Sequence, residues 1–282
     1  MAAGGNKAKH NLYLAIKCVV LGIFLVAIIF PFYWIFITSF KPIKEIFSTP
    51  ITYFPKTITI DNYVQLFNTT NFFRYIINSV MISVVSAFVS LLFAVLGAYI
   101  LARFNFRGKR VALYYMFITQ MLPGFIGLAP MYQMLAALNM IDFLPTLMIL
   151  GSAGLIPYAV ITLRGFMQNI PRSLEESAMI DGCNRLHALF VILLPVILPG
   201  LAAVYIFGFV QSWNNLFAPI LYMNRSVNYT IPVALNAMVM KNDVRWGELS
   251  AGSVIAILPT VVMFAFAQRH VASGMISGAL KE

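Results

Sequence analysis

The chain has 282 residues, 61% of them hydrophobic and only 10% charged, with a formal net charge of +10 and a mean hydropathy of +0.86. Soluble globular domains carry about 25% charged residues, so this composition excludes a soluble enzyme or binding module and indicates an integral membrane protein. The basic residues are scattered, with no stripe interleaved with aromatics, so the excess of cations is read as membrane-facing charge, with no nucleic-acid partner.

The first residues, MAAGGNKAKHNLYLAIK (1–17), form a short basic tail. The apolar run that follows is longer than a signal-peptide core of about 7–15 residues, and no small-residue cleavage site is evident, so the first span is expected to stay uncleaved. Uncharged runs cover 18–40, 75–102, 111–141, 143–163, 188–224 and 249–268. Each reaches the roughly 20 residues a helix needs to cross about 30 Å of hydrocarbon. The sequence therefore predicts an all-α, polytopic membrane protein with six transmembrane helices near 18–40, 75–102, 111–138, 143–163, 197–222 and 249–268. Residues 18–282 are expected to form a single membrane domain.

Two of the runs are too long for one simple crossing. Residues 111–141 contain Leu122-Pro123-Gly124 and Pro130, and residues 188–224 contain Pro195 and Pro199-Gly200. Proline removes a backbone donor and kinks a helix. A break is expected near Pro195, with the span proper starting near Ile197 and the apolar stretch before it lying at the membrane interface.

Orientation follows from the cations. With both termini inside, the inner segments hold Lys7, Lys9, Lys17, Arg103, Arg107, Lys109, Arg110, Arg164, Arg172, Arg185, Arg269 and Lys281, twelve in all. The outer segments hold Lys41, Lys44, Lys56, Arg74, Arg225, Lys241 and Arg245, which is seven. The positive-inside rule places both termini in the cytoplasm, and the loop RFNFRGKR (103–110) is the strongest single anchor.

Among this apolar chain, the stretch SLEESAMIDGCNRLHALFVILLP (173–195) stands out as polar. Ser173-Leu-Glu-Glu176 fits a capping box, Pro171 lies just upstream, and Gly182 is a natural stop. A helix of about two turns is expected over 174–181 within a polar segment 173–182. Two turns are not stable alone, so the helix is either a held turn in a cytosolic loop or a docking element for another protein. In the second case Ser177 and Ala178 allow close approach and Glu176 offers a carboxylate.

Glu176-Ser177-Ala178, three residues, Gly182, nine residues, then Ile192-Leu193-Leu194-Pro195 resembles the EAA signature of ABC importer permeases, with Ser177 where alanine is usual. Asn78-Ser79, Ala98-Tyr99, Arg103, Arg107-Gly108-Lys109, Met121-Leu122-Pro123, Ile170-Pro171, Ile180-Asp181-Gly182, Trp213-Asn214 and Gly278-Ala279-Leu280-Lys281 extend the resemblance to carbohydrate-uptake permeases. The pattern is most similar to the smaller permease subunit of maltose-type importers and covers the chain from the first span onward. The resemblance implies a bacterial or archaeal inner-membrane permease. It would pair with a homologous second permease and dock on a cytosolic ABC ATPase dimer that binds ATP and Mg2+. Sugar or oligosaccharide would come from an extracytoplasmic solute-binding protein. It also implies that Glu175, Glu176, Ser177, Ala178, Asp181, Gly182, Ile192, Leu194 and Pro195 form the coupling element. Glu176 would pair with a basic ATPase residue, residues 223–246 would meet the binding protein, and the C-terminal tail would reach between the ATPase subunits.

No G-x-x-x-x-G-K-[ST] loop occurs, so this chain has no P-loop ATPase site of its own and is expected to bind no cofactor. Two cysteines, Cys18 and Cys183, and three dispersed histidines, His10, His187 and His270, give no disulfide framework and no metal spacing. Gln120, Met121, Trp213, Asn214 and Asn215 are candidates for the substrate pathway, the tryptophan as a stacking surface; the alternative is a bundle-facing hydrogen-bond pair with an interfacial tryptophan. The rival class is an ion-coupled secondary transporter. Such carriers bury ionisable relays in their spans, and these spans carry charge only at their ends.

Overall fold

A computed structural model describes residues 3–240 and 243–279, all of whose regular structure is helical. Lys241 and the last residues of the tail, Leu280 and Lys281, lie outside the described residues. The described residues fall into two compact units, one of residues 3–70 with 238–240 and 243–255 and one of residues 71–237 with 256–279.

The first unit opens with α1 (Ala3–Ser39), so the basic tail is not a separate segment but the start of the first long helix. Its charge-free part is apolar enough to cross a membrane, and only its end, Ile37, Thr38 and Ser39, is buried inside the chain. After α1 come the short α2 (Ile43–Ile46), an irregular segment and α3 (Asp61–Thr69). Asn62 ties these together: its amide donates to the Ser39 carbonyl at 2.9 Å and the Lys41 carbonyl at 2.8 Å. The Lys41 ammonium donates to the Thr52 carbonyl and sits 4.7 Å from the centre of the Trp34 ring. Glu45 accepts from the Lys56 amide and the Thr52 hydroxyl, each at 2.9 Å. The Lys56 amide contributes most to holding that carboxyl below its ordinary range.

The second unit starts with α4 (Phe72–Arg103), which ends before the basic loop, where Gly108 takes φ +91°. Next come α5 (Lys109–Met121) and α6 (Leu128–Ala137). The third predicted span is thus two short helices. Pro123 holds Leu122 extended at φ −76°, ψ 131°, and Gly124 and Gly127 complete the interruption. Then follow α7 (Leu144–Gln168), α8 (Ser173–Ile180), α9 (Arg185–Ala188), a π-helical turn at Leu189–Leu193, α10 (Leu194–Val196) and α11 (Leu198–Trp213). Helix α12 (Phe217–Tyr222), a 3-10 turn at Ser226–Asn228, α13 (Ile231–Val239) and α14 (Trp246–Ala279) complete the chain.

Packing in this unit centres on α4, α7 and α11. The inward face of α4 carries small residues, Ser83, Ser86, Ala87, Ser90, Ala94 and Ala98, all buried, whereas Phe88, Leu92, Phe93 and Ile100 point outward. Small residues inside and large apolar ones outside is the arrangement that lets helices approach closely when lipid offers no hydrophobic penalty. Ser86 donates to the Met148 carbonyl of α7 at 3.3 Å. The core near the C-terminal end of α4 joins Ala98, Tyr99 and Ala102 of α4 to Leu163 and Met167 of α7, Leu189 and Leu193 of the π turn, and Val204 of α11.

The expected break lies where proline placed it. The segment Arg185–Val196 meets α11 at 80°, and α11 begins at Leu198 with Pro199 in its first turn. At Gly200, a Cβ would lie 2.8 Å from the Phe166 ring of α7, so only glycine lets the bent helix sit this close.

Candidate functional site

Helix α8 is held in three ways. Its end is a Schellman motif: the Cys183 amide donates to the Ala178 carbonyl at 3.0 Å and the Gly182 amide to the Met179 carbonyl at 3.2 Å. Gly182 supplies the left-handed residue, at φ +93°. Asn184 then caps α9, accepting from the His187 amide at 2.8 Å. The third tether is a buried charge pair. Arg103, the last residue of α4, donates through Nε to Glu175 at 2.5 Å and through its guanidinium to the Ile170 carbonyl at 3.1 Å. The Tyr99 hydroxyl donates to the other Glu175 oxygen at 3.1 Å.

This geometry corrects two readings of the sequence. The capping box does not form: Ser173 is the first helical residue, and the residue at the cap position is Arg172, with no side-chain capping bond. The Glu176 amide is satisfied instead by the Arg172 carbonyl at 3.0 Å. Glu175 and Ala178 do not lie on a docking surface, because both face the body of the protein, Glu175 at 6% exposure. The surface that α8 presents is Leu174, Glu176, Ser177, Met179 and Ile180, followed by exposed Asp181 and Gly182. Ile180 is 86% exposed at the tip. In the sequence Ile180 stands out only as part of the resemblance, in Ile180-Asp181-Gly182, and not as a docking residue.

The rest of the motif is structural. Ile192 is half-buried, Leu193 is buried, and Leu194 and Pro195 lead into the bend, within and just after the π turn. Arg185 lies over the Phe104 ring, 5.0 Å from its centre, and Arg164 donates to the Leu101 carbonyl at 3.4 Å. The short helix, the bend and the ends of α4 and α7 thus share one set of contacts.

The pathway candidates divide. Trp213 is 2% exposed, stacks on Phe209 and donates from its indole to the Ala256 carbonyl at 2.9 Å. It is a packing residue, and the stacking role for it is withdrawn. Gln120 and Met121 are exposed at the end of α5, and Asn214 and Asn215 are exposed at the end of α11.

The segment between α12 and α13 is pinned to the turn before α7 and to α4. Asp142, at φ +60°, accepts from the Asn224 amide at 3.2 Å, the Asn228 side chain at 3.0 Å and the Arg225 guanidinium. Asn78 donates to the Val227 and Tyr229 carbonyls at 2.9 and 3.0 Å, and the Ser79 hydroxyl accepts from the Ile231 amide at 2.9 Å.

Comparison with known proteins gives this geometry a context. Residues 90–277 match the family described as binding-protein-dependent transport system inner membrane component. The chain is 35% identical to the inner membrane ABC transporter permease protein YcjP of Escherichia coli (strain K12), over 93% of this chain and 94% of that one. It is 32% identical to the diacetylchitobiose uptake system permease protein DasC of Streptomyces coelicolor, over 91% and 93%. Among solved structures, a chain of a bacterial ABC transporter involved in the import of the acidic polysaccharide alginate superposes with a TM-score of 0.83. It shares 22% sequence identity with this chain, covering 93% of this chain and 97% of that one.

Proposed function

Because the chain belongs to the family of binding-protein-dependent transport system inner membrane components, we propose that it is one of two homologous permeases of an importer for a sugar or oligosaccharide. Residues 18–282 form its single membrane domain and cross the membrane six times with both termini in the cytoplasm. Two crossings are broken ones, α5 with α6 and α10 to α12. ATP and Mg2+ are bound by a separate ATPase, and an extracytoplasmic binding protein delivers solute to the outer loops. Relatives named for diacetylchitobiose and arabinooligosaccharides support the substrate class.

The observation that carries this reading is α8. A two-turn helix has no stability of its own, yet this one is held by a Schellman turn and a buried ion pair while keeping its other face bare. That face joins an apolar tip, Ile180, to a carboxylate, Glu176. An apolar anchor beside a charge is what a cleft in a partner protein recognises. Docked there, α8 passes ATPase movement through Arg103 to α4 and through the π turn to α11. An ion-coupled carrier has less support, since α4, α5, α6, α7, α11 and α12 contain no Asp or Glu.

Purification of the tagged chain from its native membrane in mild detergent tests the assembly. A P-loop ATPase and a second permease should accompany it, and Ile180→Asp should release the ATPase while leaving the second permease bound. A chain that emerges alone even after cross-linking would refute the importer reading.

A further inference from the structure

One face of α11 is unlike the rest of the bundle. Phe207, Gln211 and Asn214 recur at helical spacing and are all exposed, while Phe209 and Trp213 on the opposite side are buried, as are Gly208 at the flank and Val204 one turn below Phe207. Phe207 is backed by Tyr158 of α7, ring centres 4.1 Å apart and planes 29° from parallel. Among the described residues the Gln211 side chain has no hydrogen-bond partner. Asn214 donates once, to the Val210 carbonyl at 3.0 Å, and its side-chain oxygen stays open.

Depth makes this face informative. Helix α11 starts at Leu198, just past the bend at the inner interface. At 1.5 Å per residue Gln211 lies about 20 Å above that point, within the roughly 30 Å hydrocarbon layer. Three residues later the helix stops, and α12 resumes at Phe217. Open amides and a broken backbone at that depth are tolerated only against protein or along a water-filled cavity. The break between α5 and α6 lies at similar height, after thirteen helical residues.

We infer that Tyr158, Phe207, Gln211 and Asn214 face the aqueous translocation pathway and form a contact surface for an uncharged sugar. The inference rests on the importer reading and assigns the solute's chemistry. A backed phenyl ring presents a flat face to the C–H side of a pyranose. Two amides supply both donors and acceptors for hydroxyls. Helices α11 and α12 hold no charged residue, and α7 holds only Arg164, bonded to the Leu101 carbonyl at 3.4 Å near its inner end. Nothing on this surface pairs with a carboxylate, so neutral or N-acetylated sugars fit it and uronates do not.

Single cysteines test the surface in the assembled complex. With Cys18 and Cys183 replaced by serine, Gln211→Cys, Asn214→Cys and an outward-facing control on α4, Phe93→Cys, are treated in native membrane vesicles with a charged, water-soluble methanethiosulfonate. The expected result is labelling of positions 211 and 214 at least tenfold faster than position 93. It should be slowed by a mixture of maltose, cellobiose and N,N′-diacetylchitobiose but not by oligogalacturonate. Labelling as slow as at position 93 overturns the aqueous assignment. Fast labelling that the neutral mixture leaves unchanged, or that oligogalacturonate alone slows, overturns the neutral-sugar assignment. ATPase recovery with the same variants separates the two failures: slow labelling in a complex that retains its ATPase sinks only this inference, whereas a wild-type chain without an ATPase sinks the importer reading.

Discussion

Glu175 and Glu176 are adjacent in the chain and opposite in burial, and substitutions should separate them. Arg103 and Glu175 form a pair whose side chains are each 8% exposed. Removing one member of a buried pair strands the other charge and costs about 3–5 kcal/mol, whereas replacing both with apolar residues of similar volume is often neutral. Arg103→Ala should therefore lower the thermal midpoint of the detergent-solubilised chain and expose α8 to protease, and Arg103→Met with Glu175→Leu should recover most of the loss. If Arg103→Ala melts like the wild type, the pair does not hold α8. Glu176 is exposed and bonded to nothing through its carboxylate among the described residues. Glu176→Lys should leave the thermal midpoint unchanged and abolish ATP-dependent transport; normal transport with the reversed charge would remove Glu176 from the docking surface. Gly182 gives a third contrast. Open space surrounds its Cα, so a side chain would clash with nothing, and the whole penalty is its φ of +93°. A β-branched residue in that region costs about 1–2 kcal/mol, while asparagine tolerates it better. Amide exchange over residues 179–183 should quicken in Gly182→Val and change less in Gly182→Asn. Equal effects would show that bulk and not backbone conformation matters there.

At the scale of elements, the segment between α12 and α13 should respond to pH through Asp142. Burial pulls this carboxyl upward, but the Asn228 side chain and the Arg225 guanidinium and amide outweigh it, and its pKa falls below the ordinary value. A depressed carboxylate contributes stability that is fully present above the unfolded pKa, about 3.9, and is lost as pH falls through the lower folded value. Exchange protection at Asn224 and Arg225, corrected for intrinsic rate, should thus hold steady from pH 8 to 5 and fall below about pH 4. Asp142→Asn should flatten that profile, and a wild-type loop equally protected at pH 2 would dismiss Asp142 as its anchor. None of this was legible in the chain, because Asp142 meets residues more than eighty positions away. The same holds for Arg103 with Glu175, and for Asn78 with the loop carbonyls. Local signals carried further. Charge-free length announced α4 and α7, Pro195 and Pro199 announced the bend, and Gly182 announced the end of α8. The capping box misled because Ser173 and Glu176 have the right spacing, yet the helix starts one residue too early to use Ser173 as its cap. Trp213 misled because an indole at a helix end looks interfacial until its N–H is seen to reach Ala256. The interruption at 214–216 had no proline to mark it.

For the whole molecule, orientation decides whether α8 can meet an ATPase at all. The twelve inner cations against seven outer ones favour a cytoplasmic α8, and Arg107, Lys109 and Arg110 cluster at the short turn into α5, where the positive-inside bias acts most strongly. The apolar surfaces of α1 and the outer face of α4 then belong in lipid or against a second permease, and the Asp142-anchored loop belongs outside. Two single-cysteine variants in a chain lacking Cys18 and Cys183 read this directly, since Arg107 and Ser226 are both exposed. A membrane-impermeant maleimide applied to spheroplasts should label Ser226→Cys and spare Arg107→Cys, and permeabilisation should then label both. The reverse pattern would put α8 outside the cell, beyond reach of ATP, and the proposed coupling could not operate. Labelling of both positions before permeabilisation would mean an even number of crossings between them, and the span assignment of α5 through α12 would have to be redrawn.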